Sequence, residues 1–441
     1  MDATPSRREF LRSTATMAGG AGLLSVARTN QQLARALEAP APLATRRVPL
    51  RPDEPVRIGV IGTGGMGTGH VEQFVKLCKD GKVNLHVAAL ADVCQPRLNA
   101  AKQKAEEVQG TGTVETHYAN YPALLARKDL HGVLIAVPEH WHQKVAEDAI
   151  AAGKDVYLEK PMTLRLPAAM RLLKVQQANP NVIVNVGTQY VMTPSYPEAQ
   201  KIIASGAVGK PVWSQTSYCR NSKEGEWLYY EIDPAWQPGV NLDWKQWCEP
   251  LGQVPWDPQV YARWRRYRRY STGIIGDLLV HKITPLLVAL NLGWPTRVVA
   301  SGGHIVDQAM ENHDQVNLTI EFGDHEHILL VVGCTSNELG LETVIRCHKA
   351  NLYVGQRNTV VRPERLFADE VEERTIEGED HGDDQDALRL HWINAIRGRT
   401  PPASSVEMGA KVMVAVDLAT RSMWEGAAFG FDPKNMKVRK L

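Results

Sequence analysis

No two of the six cysteines, at positions 78, 94, 219, 248, 334 and 347, stand in CxxC spacing. That excludes a zinc ribbon and a thioredoxin-like site, and six thiols in 441 residues are too sparse for a disulfide scaffold. Net charge is equally scarce: 50 lysines and arginines meet 49 acids, for a formal +1. No chain-wide field therefore draws the molecule to nucleic acid. Long apolar runs are missing too, and the nearest candidate, Ala15–Val26, is too short to span a bilayer. There is no internal repeat and, beyond the first forty residues, no low-complexity tract. What remains is ordinary for a soluble globular protein, with 44% apolar and 22% charged residues. The length fits two or three domains.

The N-terminus reads differently from the rest. Ser6-Arg7-Arg8-Glu9-Phe10-Leu11-Arg12 is a twin-arginine signal pattern, and Ala15–Val26 supplies the apolar stretch that follows one. Ala/Pro/Leu-rich sequence continues to Ala44. Residues 1–44 are accordingly read as signal and linker and set aside from the fold. The expectation is export by the twin-arginine route to the periplasm, already folded, with no membrane anchor in the mature form.

Strand-like and helix-like segments alternate from Val56 onward. Val56–Ile61, Leu85–Leu90, Gly132–Val137, Asp155–Leu158 and Val182–Val186 read as buried strands, with helices over His70–Lys79, Pro96–Val108 and Gln143–Ala152. Continuous apolar strands separated by helices predict a parallel, doubly wound sheet over 53–186. From 187 to 436 the pattern predicts an α+β domain with an open, mainly antiparallel sheet. Its strands include Val212–Tyr218, Arg297–Gly302, Val316–Phe322 and Ile328–Val332, and Ala387–Arg397 and Gly409–Glu425 are helical. A hairpin is expected at Gly323-Asp324. The fold class is α/β.

Gly62-Thr63-Gly64-Gly65-Met66-Gly67 follows the first strand and opens a helix. In that context GxGxxG is a dinucleotide loop: one glycine for the turn, one for close approach of the pyrophosphate, one for helix packing. The helix N-terminus offers free N–H groups to the phosphates. Asp92, just after the second strand, is placed to accept from both ribose hydroxyls and to repel a 2′-phosphate. NAD is favoured over NADP, although Arg97 nearby works the other way.

Further motifs carry a resemblance. Gly132–His142 (GVLIAVPEHWH) is followed by Glu159-Lys160-Pro161, Gly187-Thr188-Gln189, Ile203–Pro211 and Gly276-Asp277-Leu278-Leu279-Val280-His281. In this order and spacing the chain resembles the Gfo/Idh/MocA oxidoreductases over residues 55 to 435. The resemblance implies a Rossmann domain, a second domain with an open sheet, and an active site between them. It implies that Lys160 stands beside the nicotinamide with a cis peptide to Pro161, and that Asp277 and His281 complete the catalytic group. It places Pro138, His142, Glu159 and Gln189 at the cofactor. It also implies a carbohydrate substrate and a homo-oligomer, dimer or tetramer, joined through the open sheet. Two departures lie near the substrate: Tyr190 replaces an arginine common in relatives, and Lys282-Ile283-Thr284 follows His281 without the usual aspartate.

Oxidising a secondary alcohol needs a hydride acceptor and a base, and Lys160 or His281 takes the proton. Spacing of i, i+4 predicts Asp277 and His281 on one helix face. Arg263–Tyr270 (RWRRYRRY) interleaves cations and aromatics, and Trp264 and Tyr267 are read as sugar-stacking or loop-packing groups rather than nucleic-acid contacts. No metal site is expected: His140 and His142 do not form a zinc pair, and Asp324-His325-Glu326-His327 is read as a solvated turn. Two other readings stay open beside a net dehydrogenase. One is a redox-neutral glycosidase or epimerase that oxidises its sugar transiently. The other is a non-catalytic NAD- or sugar-binding module.

Overall fold

In the computed structural model, residues 25–323 and 326–441 are described. The first sheet comprises β1 (Val56–Ile61), β2 (Leu85–Asp92), β3 (Glu115–Tyr118), β4 (Gly132–Ile135), β5 (Asp155–Leu158) and β6 (Val184–Val186). All pair in parallel, in the order β3-β2-β1-β4-β5-β6. Helices Gly65–Lys79 and Gln95–Gln109 pack on each other, as do Glu139–Ala151 and Leu166–Ala178. Strands β4 and β5 are therefore buried at every position, which is why they read as unbroken apolar runs. Strand order reverses at β1 and β4, and the crevice above that point is where such sheets bind ligands. β3, with sequence Glu-Thr-His-Tyr, lies at the sheet edge and is half-exposed. It has no apolar run, so periodicity does not reveal it.

The second sheet is centred on β7 (Pro211–Asn221), β8 (Pro295–Gly303), β9 (Gln315–Phe322) and β10 (His327–Cys334). β10 runs parallel to β7 and antiparallel to β9, and β9 is antiparallel to β8. Four strands between Val344 and Glu377 extend it beyond β7, and Phe429–Asp432 and Lys437–Lys440 extend it beyond β8. The helix Val406–Glu425 packs against both β8 and Leu166–Ala178, so one hydrophobic core runs through both domains. The hairpin at Gly323 forms as expected. The solvated-turn reading of 324–327 needs correction at His327: it is 2% exposed and shares a 2.9 Å hydrogen bond with Ser214. It is the first residue of β10, facing inward, while Asp324 and His325 lie outside the described residues.

The twin-arginine pattern at Ser6–Arg12 also lies outside the described residues. Residues 25–44, set aside with it, belong instead to the packed body. Residues 25–38 are helical, with Leu33 only 1% exposed in the main core and Val26 and Leu37 packed against that core. Arg421 donates to the hydroxyls of Ser25 and Thr29, and Asn30 exchanges hydrogen bonds with the backbone of Val438. The chain then runs across Leu166–Ala178, where Arg171 and Lys174 donate to the carbonyls of Leu37, Ala39 and Pro40. A composition rich in alanine and proline hides this role because each apolar contact is small. Among the described residues no helix is long and apolar enough to cross a membrane.

Candidate active site

The glycine loop divides its labour as backbone geometry requires. Gly62 has φ +90° and packs so closely that a Cβ would stand 2.7 Å from the Ala136 carbonyl, and one on Gly67 would stand 1.8 Å from the Gly62 oxygen. Neither position admits a side chain. A Cβ on Gly65 would meet nothing within 4 Å, and one on Gly64 only the Arg97 guanidinium at 3.7 Å. These two glycines keep a groove open above the helix N-terminus, so the loop fits a dinucleotide pyrophosphate. Met66 stands 41% exposed at the loop and lines the same groove. The Asp92 carboxylate accepts from the Thr63 N–H at 2.6 Å, the Thr63 hydroxyl at 3.2 Å and the Cys94 N–H at 2.8 Å. Burial pushes its carboxyl up, against the pull of Arg97 and these donors. Sequence reasoning did not foresee that Asp92 also buttresses the glycine loop.

The groove has a roof, and the roof comes from the second domain. Residues 236–270 reach back to the first: Leu242 bridges Cys94, the Asn241 carbonyl accepts from Gln95 N–H at 2.8 Å, and Asp243 N–H donates to Val93 at 2.8 Å. Trp244, Trp247, Tyr261 and Tyr270 form an aromatic cluster with Leu242 and Cys94. The Arg97 guanidinium lies 4.6 Å from the centroids of both Trp236 and Tyr261 and donates to the Tyr261 hydroxyl at 3.1 Å. The Trp247 carbonyl accepts from His140 at 2.7 Å and from Trp141 at 3.0 Å. Gly62, Gly64, Gly65 and Asp92 thus line one side of the groove, and Trp247, Tyr261, Trp264 and Arg265 the other.

Lys160 closes the far end of the groove. The peptide to Pro161 is cis. The Lys160 ammonium donates to the Asp277 carbonyl at 3.0 Å and to Asp277 Oδ1 at 3.1 Å. Asp277 sits in a π-helical turn, Ile275–Leu279, that runs into the α-helix Val280–Leu290 carrying His281. The expected single α-helical face is thus modified by a π turn, a feature frequent at functional sites. A second cation, Arg265, donates to the same Oδ1 at 2.9 Å. Burial alone would raise the Asp277 carboxyl, but Lys160 and Arg265 together hold it well below the usual carboxylate range. The cation-rich tract gave Trp264 as a stacking candidate. Trp264 does stack, but on Arg265 at 4.2 Å, and Arg265 itself was not singled out.

His281 is 5% exposed, packs against Tyr190 and Tyr218 with ring centroids 5.4 and 6.1 Å away, and leaves Nδ1 without a partner. Burial, reinforced by the Lys160 charge, pushes its imidazole down to about 3, so it is neutral. Glu159 Oε1 bonds the buried His70 at 2.8 Å, and Arg389 donates to the other nitrogen of His70 at 2.9 Å. Burial would raise Glu159, but His70 and Lys160 bring it to about 2. His70 and Arg389, more than 300 residues apart, left no local signal in the sequence. Pro138 and His142 line the groove. Both ring nitrogens of His142 face carbonyls, of Pro161 at 2.7 Å and Val137 at 2.8 Å, so it ties the loop after β4 to that after Lys160. Gln189 opens the short turn that carries Tyr190 and does not line the groove. Among the described residues no group of three His, Cys, Asp or Glu is arranged to hold a metal.

Comparison with known proteins agrees with this geometry. Residues 56–188 match the oxidoreductase family's NAD-binding Rossmann fold, and residues 253–429 match that family's C-terminal alpha/beta domain. The chain is 29% identical over 157 residues to inositol 2-dehydrogenase 1 of Saccharopolyspora erythraea, covering 36% of this chain and 44% of that one. It is 30% identical over 187 residues to an inositol 2-dehydrogenase/D-chiro-inositol 3-dehydrogenase of Shouchella clausii, covering 40% and 51%. The matches thus span about half the length of these curated relatives. Among solved structures, an NAD binding oxidoreductase from Klebsiella pneumoniae superposes with TM-score 0.63 at 21% identity, over 85% of this chain and 98% of that one. Levoglucosan dehydrogenase in complex with NADH and levoglucosan gives 0.64 at 18%, over 85% and 99%. At such identities these two likenesses speak for the fold.

Proposed function

The chain belongs to the Gfo/Idh/MocA family of oxidoreductases, and on that premise we propose that it oxidises a secondary alcohol of a sugar, polyol or glycoside with a tightly held NAD. The observation that carries this is Lys160, which lines the roofed dinucleotide groove and is paired with the buried Asp277, near His281. The bound nicotinamide supplies the hydride acceptor. Asp277, held ionised, keeps the Lys160 ammonium aimed into the site, where it steadies a substrate oxygen as charge develops on it. His281 is held neutral by burial, with its buried Nδ1 unpartnered among the described residues. Lys160, which lines the groove, or His281 beside it takes the hydroxyl proton. The inositol and levoglucosan names among relatives support a polyhydroxylated substrate. The twin-arginine pattern supports export of the folded, cofactor-bearing chain.

The test is a screen of sugars, polyols and glycosides with the purified protein, reading reduced nicotinamide and products together. Matched formation of reduced cofactor and a keto product supports the proposal. Aglycone release without net reduction would point to the redox-neutral reading, and no change in either would leave a binding module.

Asp92 also makes cofactor choice measurable. A buried carboxylate beside the ribose position disfavours a 2′-phosphate, so the wild type should bind NAD at least about tenfold more tightly than NADP. Asp92→Ala should lose most of that preference and, because Thr63 and Cys94 lose their acceptor, some thermal stability as well. Dissociation constants for both nucleotides in both proteins decide it, and tighter NADP binding by the wild type would refute the assignment.

A further inference from the structure

Among the described residues, Lys160, Arg220, Arg265 and Arg266 each have a carboxylate partner. Lys160 and Arg265 share Asp277. Arg220 pairs with Glu226 through a 3.0 Å contact, and Arg266 with Asp307 at 2.6 and 2.8 Å. Lys282, the residue after His281, has no carboxylate partner among the described residues. Its ammonium lies 4.9 Å from the Tyr190 ring centroid and 5.9 Å from that of Tyr218, the same two rings that flank the His281 imidazole. Burial pushes it below the ordinary lysine range. The closest acidic pair along Tyr190 is otherwise engaged: Asp383 caps the helix Asp384–Gly398, and Asp384 accepts from Thr193. Burying an unpaired charge is unfavourable, and two aromatic faces offset only part of that. At this end Lys160, Arg220, Arg265 and Lys282 stand among Asp277, Glu226, Glu159 and Glu139, and among the described residues Lys282 is the one of these four cations that pairs with none of the carboxylates.

We propose that the substrate is an acidic sugar or polyol, and that Lys282 binds its carboxylate while the carbinol to be oxidised lies at Lys160 and His281. This rests on the oxidoreductase reading above and narrows its substrate. The tyrosines supply flat apolar faces for the carbon skeleton, and the lysine amine supplies a charge-assisted hydrogen bond that a neutral sugar does not repay.

The experiment uses the full chain with its cofactor and a panel of matched pairs: hexuronates and aldonates against the corresponding hexoses and alditols. Binding is measured by calorimetry and turnover as kcat/KM. The best acid should exceed its neutral partner by at least about tenfold in both, and that ratio should fall as salt is raised. Lys282→Met, which keeps the stem and removes the charge, should collapse the ratio to near unity. The change should appear mainly in KM, and Lys282→Arg should restore part of it. Neutral partners handled as well as the acids, or a ratio untouched by Lys282→Met, would overturn the inference while leaving the oxidoreductase reading intact. Acids bound selectively through Lys282 with no cofactor reduction would uphold the inference and overturn that reading.

Discussion

Lys160→Ala should lower kcat by about 10²–10⁴ and leave the folded protein and its cofactor content almost unchanged. The loss follows from removing the ammonium that Asp277 holds at the groove. The tolerance follows from Arg265. Breaking a buried ion pair ordinarily costs about 3–5 kcal/mol, because the surviving charge is left unpaired. Here Asp277 keeps its 2.9 Å contact with Arg265 after Lys160 is gone. Asp277→Ala should behave in the opposite way, since it strands two buried cations at once. Its melting temperature should fall by several degrees while Lys160→Ala stays close to wild type. Steady-state kinetics, nucleotide content and thermal melts on both variants check the pair of expectations. A Lys160→Ala enzyme with near-normal kcat would remove Lys160 from the mechanism.

Protein purified without added nucleotide and dialysed at length should still release about one NAD(H) per chain on denaturation. Outside the cytoplasm there is no comparable pool to rebind from, so on the proposed export a loosely held cofactor would be lost. The roof supplies the means of retention. Cys94, Gln95 and Arg97, on the first domain, are joined to Leu242, Asn241, Trp236 and Tyr261 of the second by backbone pairing and stacking. A nucleotide in the groove stabilises the fold by mass action, and the roof slows its departure. Tyr261→Ala removes a fully buried ring that packs on Trp236, Trp247 and Arg97. Truncating such a ring costs about 3 kcal/mol of packing, equivalent to ~100-fold faster release if the loss falls on the closed state. Tyr261→Phe keeps the ring and should retain the cofactor. Mass spectrometry of denatured samples reads all three proteins. A folded wild type free of nucleotide, restored fully by added NAD, would contradict the retention account.

The first domain was nearly complete in the sequence because its strands are buried on both faces and its glycine loop obeys strict steric demands. β1 and β5 lie where their apolar runs placed them. The side chains proposed as catalytic stood in motifs, and Lys160 and Asp277 form an ion pair near His281. What escaped has a common cause, namely contacts without local periodicity. Arg265 was hidden in a cation-rich tract whose members look alike until one of them meets Asp277. His70 and Arg389 hold Glu159 from opposite ends of the chain. Residues 236–262 are rich in tryptophan and proline and carry no apolar periodicity, and the bridge from Leu242 to Cys94 shows that they reach the groove. The helix at 25–38 was masked by its neighbourhood, since composition assigned it to a leader while Leu33 belongs to the core.

The central claim is that this site moves hydride between a carbinol carbon and a nucleotide held in the groove. The most direct measurement uses acidic and neutral sugars and polyols deuterated at their carbinol carbons. Each is incubated with the purified protein, which is then denatured so that the released cofactor can be weighed by mass spectrometry. In samples quenched during turnover the account predicts deuterium in the nicotinamide ring with wild type, accumulating for a net dehydrogenase and present only in the transient reduced state for a redox-neutral reaction, which returns the deuteride to its product, and almost none with Lys160→Ala. Cofactor that stays unlabelled with every bound substrate would contradict it.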